Sequence, residues 1–275
     1  MTRPIAIAPI TTPELAPPDL VSVAARTGYS HVGLRMLPSV PNGFHWPLMT
    51  DAALLRETRA RMNDVGVAVL DIDIIRLNAD SQPDSFRRFF AIGEALGAQS
   101  VLVAAGDPDP ARLAANFAAL CDLAAPHKLS IDIEFMPWTA VPDLIAAIRL
   151  MRAVGRPNAG ILVDTLHVDR SDSRIADLAA LPRHWLHYMQ ICDAPAEKPA
   201  TMEAMIHCAR SERLFPGDGG LDLAGMMRAL PDDVPVSVEV PTETLARTVG
   251  AEARARKGIE TTRAVLAGLE TRDTK

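Results

Sequence analysis

Four apolar, strand-like segments each end on one oxygen-bearing side chain. They are SIDIEF with Glu134, GILVD with Asp164, HYMQICD with Gln190 and VSVEV with Glu239, and each runs straight into loop-like sequence. A carboxylate inside an apolar run is costly unless something neutralises it. Four such groups at equivalent positions point to one shared cause, a divalent metal ion held by oxygen ligands. Three carboxylates and an amide carbonyl form a hard donor set, which favours Mn²⁺ or Mg²⁺, with Co²⁺ as a third candidate, over a structural zinc. Their formal charge of three minus against two plus leaves room for a cationic neighbour. The competing reading is four separate strand-end residues that cap helices or pair with arginines, and Gln190 suits it best.

The elements that must position these groups are legible too. Eight short segments rich in Val, Ile and Leu alternate with amphipathic ones: Pro4–Ile10, His31–Leu37, Val67–Ile75, Ser100–Ala104, Leu129–Phe135, Ala159–Asp164, Trp185–Cys192 and Val234–Val240. Strands covered on both faces read this way. Between them, Leu113, Phe117, Leu120 and Cys121 step at helical spacing, as do Val141, Ile145, Ile148 and Met151. Glycines at 28, 66, 97 and 155 mark helix stops before the next strand. Eight βα units without a break in composition predict a single-domain (β/α)₈ TIM barrel over residues 1–270, with a polar tail at 271–275. Side chains alternate between strand faces. With Glu239 inward, Val236, Val238 and Val240 face the helices. With Gln190 inward, Tyr188 and Cys192 join it. With Glu134 inward, so is Asp132, one layer deeper and without an obvious partner.

The chain has 275 residues, 48% of them hydrophobic and 23% charged, enough for a large core. A net charge of −6 argues against nucleic acid as a partner, because phosphate backbones want a basic face. No apolar run reaches the ~20 residues needed to span a bilayer. Three cysteines without a CxxC pair read as reduced thiols, and the N-terminal segment lacks a signal-peptide pattern, so a cytoplasmic protein is expected. A small molecule is the expected partner, and a homo-oligomer stays open.

Loops after the strands build the reactive face of such barrels. His167, three residues past Asp164, is a candidate acid or base. Arg35, Arg76, Arg210 and Arg213 sit at strand ends or in the loop after strand seven, where a guanidinium fork binds carboxylate or phosphate. Of these, Arg35 and Arg210 are the candidates for substrate. Trp138, Phe44 and Trp46 could wall or cover the pocket, and Glu203 with His207 reads as a solvated helix face. Asp71 and Asp73 share one parity in strand three and Arg76 takes the other, which leaves the inward face of that strand open.

Together these segments resemble the xylose isomerase-like barrel superfamily. The motifs that carry the likeness are Gly28-Tyr-Ser-His-Val-Gly33, Ile133-Glu134, Val163-Asp164-Thr-Leu-His167, Gln190-Ile-Cys-Asp193, Pro216-Gly-Asp-Gly219 and Val238-Glu239. The superfamily holds sugar isomerases and epimerases, inosose dehydratases, abasic-site endonucleases and 3-dehydroshikimate dehydratases. The resemblance implies a metal-dependent enzyme that removes a proton next to a carbonyl of a small polyhydroxylated compound, with the ion as Lewis acid. An isomerase or epimerase comes first, with Glu134 and Glu239 shuttling the proton. A dehydratase with His167 as proton carrier is the alternative, and a catalytically inactive binding protein a third. Epimerases commonly place histidine where Gln190 stands. A glutamine there is similar to some bacterial 3-dehydroshikimate dehydratases.

Overall fold

The eight predicted strands are all present: β1 (Ile5–Ile7), β2 (His31–Arg35), β3 (Ala68–Leu77), β4 (Ser100–Ala105), β5 (Ser130–Glu134), β6 (Ala159–Asp164), β7 (Met189–Ile191) and β8 (Val236–Val238). They pair in chain order, every pair parallel, and β8 closes onto β1. The computed structural model describes residues 3–270; residues 271–275, expected as a polar tail, lie outside them. One helix follows each of the first five strands: α1 (Pro17–Thr27), α2 (Ala52–Val65), α3 (Arg87–Leu96), α4 (Pro110–Ala124) and α5 (Leu144–Val154). β6 is followed by α6 (Thr165–Arg170) and α7 (Ile175–Ala179), and β7 by α8 (Met202–Ser211) and α9 (Leu223–Ala229). α10 (Glu243–Ala246) and α11 (Ala251–Glu270) complete the ring. The product is a single-domain (β/α)₈ barrel.

Local chemistry explains the element ends. Asp51, Asp109 and Asp143 accept hydrogen bonds from the free N–H groups that open α2, α4 and α5. The four predicted stop glycines all take the left-handed conformation, φ +57° to +93°, that other residues resist. The α4 stripe is buried as predicted. In α5 it is turned by one residue: Leu144, Ala147, Leu150 and Met151 face the core, while Ile145 is 45% exposed.

Two cores result. Ile133, Ile161, Val163, Val236, Val238 and Val240 pack outward against the helices. Ala6, Leu70, Ile74, Leu102, Ala104, Met136, Leu162 and Tyr188 fill the barrel interior. Cys192, expected inside with Gln190, belongs instead to the outer core, because β7 ends at Ile191 and strict alternation ends with it.

Strand three resolves its parity conflict by irregularity. Its register against β4 shifts between Ile72 and Ile75, and the β2 register jumps from Val32–Val69 to Gly33–Asp71. Extra residues in one strand let neighbours of opposite parity share a face. Asp71 and Asp73 are therefore buried, and Arg76 still reaches the cleft at the C-terminal rim.

Asp132 also has its partner. His187 Nδ1 lies 2.6 Å from Asp132 Oδ1, and Ser130 Oγ donates to Oδ2 at 2.7 Å. Gly160 makes this approach feasible, since a methyl group there would overlap both Asp132 Oδ1 and His187 Nδ1.

Candidate metal centre and cleft

At the C-terminal rim, Gln190, Glu239 and Asp164 are linked by hydrogen bonds and through Arg213, and Glu134 lies beside them against His167. Gln190 Nε2 donates to Glu239 Oε1 at 2.8 Å. Asp164 uses Oδ1 to cap α6, accepting from the Leu166 N–H at 2.7 Å, and turns Oδ2 towards the centre. His167, on the first turn of that helix, is carried back over the rim, with Nε2 3.5 Å from Glu134 Oε1. All these side chains are buried.

The cationic neighbour for which the charge count left room is Arg213. Its guanidinium pairs with Asp164 Oδ2 at 2.6 Å and Glu239 Oε2 at 2.9 Å, while Nε donates to the Ala209 carbonyl at 2.8 Å. Arg213 was visible in the sequence as one of two loop arginines. Nothing in its position distinguished it from Arg210.

The donor set fits a metal ion. Glu134, Asp164 and His167 each bring a ligand atom within 4.8 Å of the others. Gln190 Oε1 is buried without a hydrogen-bond partner, a costly state that a bound cation would relieve. His167 thus stands among the candidate ligands as well as in its expected role of acid or base.

Burial shapes the protonation of the cluster. Burial, with Glu239 and Asp164 close by, pushes the Glu134 carboxyl well above its usual range. Burial acts on Asp164 in the same sense, yet Arg213 and His167 hold it below the ordinary value. Glu239 is pushed up to about 7, chiefly by burial, against the pull of Arg213. Burial takes His167 down to about 4, so its ring is neutral at pH 7.

A cleft partly open to solvent leads to the cluster. Arg35, Arg76, Arg210 and Arg213 line it, opposite an apolar wall that includes Leu102, Met136 and Trp138. The Trp138 ring meets the His167 ring edge-on at 5.2 Å, which supports its expected place in the pocket wall. Arg35 is committed elsewhere than expected: it donates twice to Asp73 Oδ2, at 3.0 and 2.5 Å. Phe44 and Trp46 pack edge-to-face on each other in the loop after β2. Glu203 and His207 are exposed on α8, as a solvated face should be. Among the described residues no helix is long and apolar enough to cross a membrane.

Comparison with known proteins agrees with this architecture. Residues 21–265 match the family model described as xylose isomerase-like TIM barrel. Over 146 residues the chain is 33% identical to a 3-dehydroshikimate dehydratase of Pseudomonas aeruginosa, covering 51% of this chain and 22% of that protein. Over 128 residues it is 31% identical to an inosose isomerase of Bacillus velezensis, covering 44% of this chain and 43% of that one. The chain thus spans less than half the length of these two curated relatives. Among solved structures, the IOLI protein with a bound zinc atom superimposes with a TM-score of 0.80 at 19% identity, over 97% of this chain and 99% of that one.

Proposed function

The chain belongs to the xylose isomerase-like TIM barrel family, and from that premise we propose that it is a metal-dependent enzyme which removes the proton next to a carbonyl of a small polyhydroxylated compound. The observation that carries this reading is the buried cluster at the rim, where Glu134, Asp164 and His167 bring ligand atoms within 4.8 Å of one another and Gln190 Oε1 lacks a partner. Glu134, Asp164, Gln190 and Glu239 would hold one divalent ion, of which Mn²⁺ and Mg²⁺ suit the oxygen donors best. When bound, the ion supplies Lewis-acid stabilisation of negative charge on the carbonyl oxygen.

The chain's own groups favour dehydration over isomerisation, which reverses the order suggested by the sequence. An epimerase, which takes the proton from one face of a carbon and returns it to the other, needs a free base on each face. Glu239 has both oxygens engaged, Oε1 by Gln190 and Oε2 by Arg213. Glu134 and His167 remain, facing one another at 3.5 Å. A neutral imidazole beside a carboxylate suits β-elimination. His167 can take the α-proton, pass it along the pair with Glu134, and return it to the departing hydroxyl as water. General acid–base catalysis of this kind is worth roughly 10²–10⁴-fold. The likeness to a 3-dehydroshikimate dehydratase supports the same order, and the inosose isomerase supports the second reading.

The test combines metal analysis with turnover. Protein purified without chelator should carry about one equivalent of metal, and Glu239→Gln clearly less. Equal metal in both removes the proposed centre. 3-Dehydroshikimate should be dehydrated and followed by absorbance of the aromatic product, whereas interconversion of inososes or ketoses alone would favour isomerisation. His167→Ala separates its two roles: retained metal with lost turnover marks a proton carrier, and lost metal marks a ligand.

A further inference from the structure

We propose that Arg76 and Arg210 form a clamp for a substrate carboxylate, so that the compound accepted is a polyhydroxylated carbocyclic acid rather than a neutral sugar or a sugar phosphate. The inference rests on the reading above for the identity of the reacting cleft.

Charge balance singles out these two residues. Arg213 pairs with two of the cluster's three carboxylates, and the divalent cation proposed above would complete their neutralisation. Asp73 is neutralised by Arg35. Two guanidinium groups then remain on the cleft wall. Neither Arg76 nor Arg210 forms an ion pair among the described residues. The single hydrogen bond of Arg76 runs from Nε to the Ser39 carbonyl at 3.2 Å, which leaves its two terminal nitrogens available. Arg210 is exposed, in the last turn of α8. The two come from different elements, the end of β3 and the loop after β7, yet line one cavity with Glu134 and His167. Their charges oppose one another: burial first, then the proximity of Arg210, lowers the pKa of Arg76. Like charges facing each other across a cleft are destabilising until an anion enters between them.

The same surroundings select the anion. Arg210 sits at the carbonyl end of α8, where the helix dipole is negative and opposes a dianion more than a monoanion. The N-terminus of α6, where His167 lines the cleft, already gives its Leu166 and His167 N–H groups to Asp164 Oδ1 and does not offer them to a phosphate group. The wall of Ile74, Leu102, Met136 and Trp138 suits the face of a carbon ring. The carboxylate would be gripped at the cleft mouth while the ring carbons reach Glu134 and His167.

Calorimetric titration of the metal-loaded protein with shikimate, a carbocyclic acid without the reactive ketone, tests this directly. Arg76→Gln and Arg210→Gln should each weaken binding roughly 10- to 100-fold, the range for a charge-assisted hydrogen bond. Methyl shikimate should bind the unmodified protein as weakly as the acid binds the variants, and should be indifferent to either substitution. Arg76→Lys, which keeps the charge but loses the fork, should recover only part of the affinity. Thermal melts of each variant check that the fold is intact. Equal binding of acid and ester by the unmodified protein overturns the clamp. So does a sugar phosphate that binds more tightly than shikimate and loses its advantage in the arginine variants. Exchange of α-protons in D₂O separates this inference from the functional reading. Exchange on neutral ketoses, undiminished in the variants, would leave the enolising enzyme and refute the clamp. Arginine-dependent shikimate binding without exchange on any ketone would keep the clamp and refute the enzyme.

Discussion

Replacing Arg213 with methionine removes the charge that holds the rim together while filling most of its volume. Arg213 is 4% exposed, and its guanidinium joins Asp164 to Glu239 at 2.6 and 2.9 Å. Deleting one partner of a buried ion pair typically costs about 3–5 kcal/mol, because the other charge stays buried and uncompensated. Chains of 150–250 residues lose about 2–4 °C of Tm per kcal/mol, so the variant should melt roughly 6–20 °C lower in the presence of chelator. The sign of the pH dependence follows from the carboxylates. Without Arg213 their folded pKa values rise above the unfolded ones, so the penalty is absent at low pH and grows as pH rises through the unfolded values near 4. The deficit should therefore be small at pH 4 and full at pH 8. Saturating Mn²⁺, bound by the native state alone, should restore about 2.7 kcal/mol at 100 times its Kd. The assay is differential scanning calorimetry at both pH values, with chelator or Mn²⁺. A variant as stable as the unmodified protein at pH 8 in chelator would show that Arg213 does not compensate these carboxylates, and the charge count at the rim would fail with it.

At the opposite end of the barrel, Gly160→Ala should break the His187–Asp132 contact and cost about 1.5–3 kcal/mol, the worth of a charge-assisted hydrogen bond. Burial alone would lower the pKa of His187, but Asp132 holds it above its ordinary value. The pair therefore contributes stability that is full below pH 6.5 and is lost as pH rises through the folded pKa. Denaturant melts across pH 5–9 should show that decline in the unmodified protein and not in Gly160→Ala; parallel profiles would refute it. Asp71 is buried with both oxygens unpartnered, and burial, with Asp73 and Glu239, pushes its carboxyl well above the usual range. A raised folded pKa costs stability once pH exceeds the unfolded value, so Asp71→Asn should raise Tm at pH 8, with the gain vanishing near pH 3. A lower Tm for that variant at pH 8 would mean that the charged form has a partner.

The barrel and the rim cluster were legible because both are written in short-range periodicity. Two-residue alternation around Glu134, Asp164, Gln190 and Glu239 fixes which side chains point inward. Glycines 28, 66, 97 and 155 end helices by backbone sterics that need no tertiary partner. Charge and parity alone also left room for a cation near the cluster and called for a partner to Asp132. Which residues meet those needs did not follow. His187 reaches Asp132 from 55 positions along the chain, and Arg213 reaches Asp164 from 49, distances over which spacing carries no signal. Arg35 and Arg210 looked alike in the sequence; a neighbouring strand supplies Asp73 to one and nothing to the other. Strand three was ambiguous for a related reason. Its alternation is broken by register shifts that depend on the strands beside it, so only barrel closure brings Asp71, Asp73 and Arg76 to the interior and its rim.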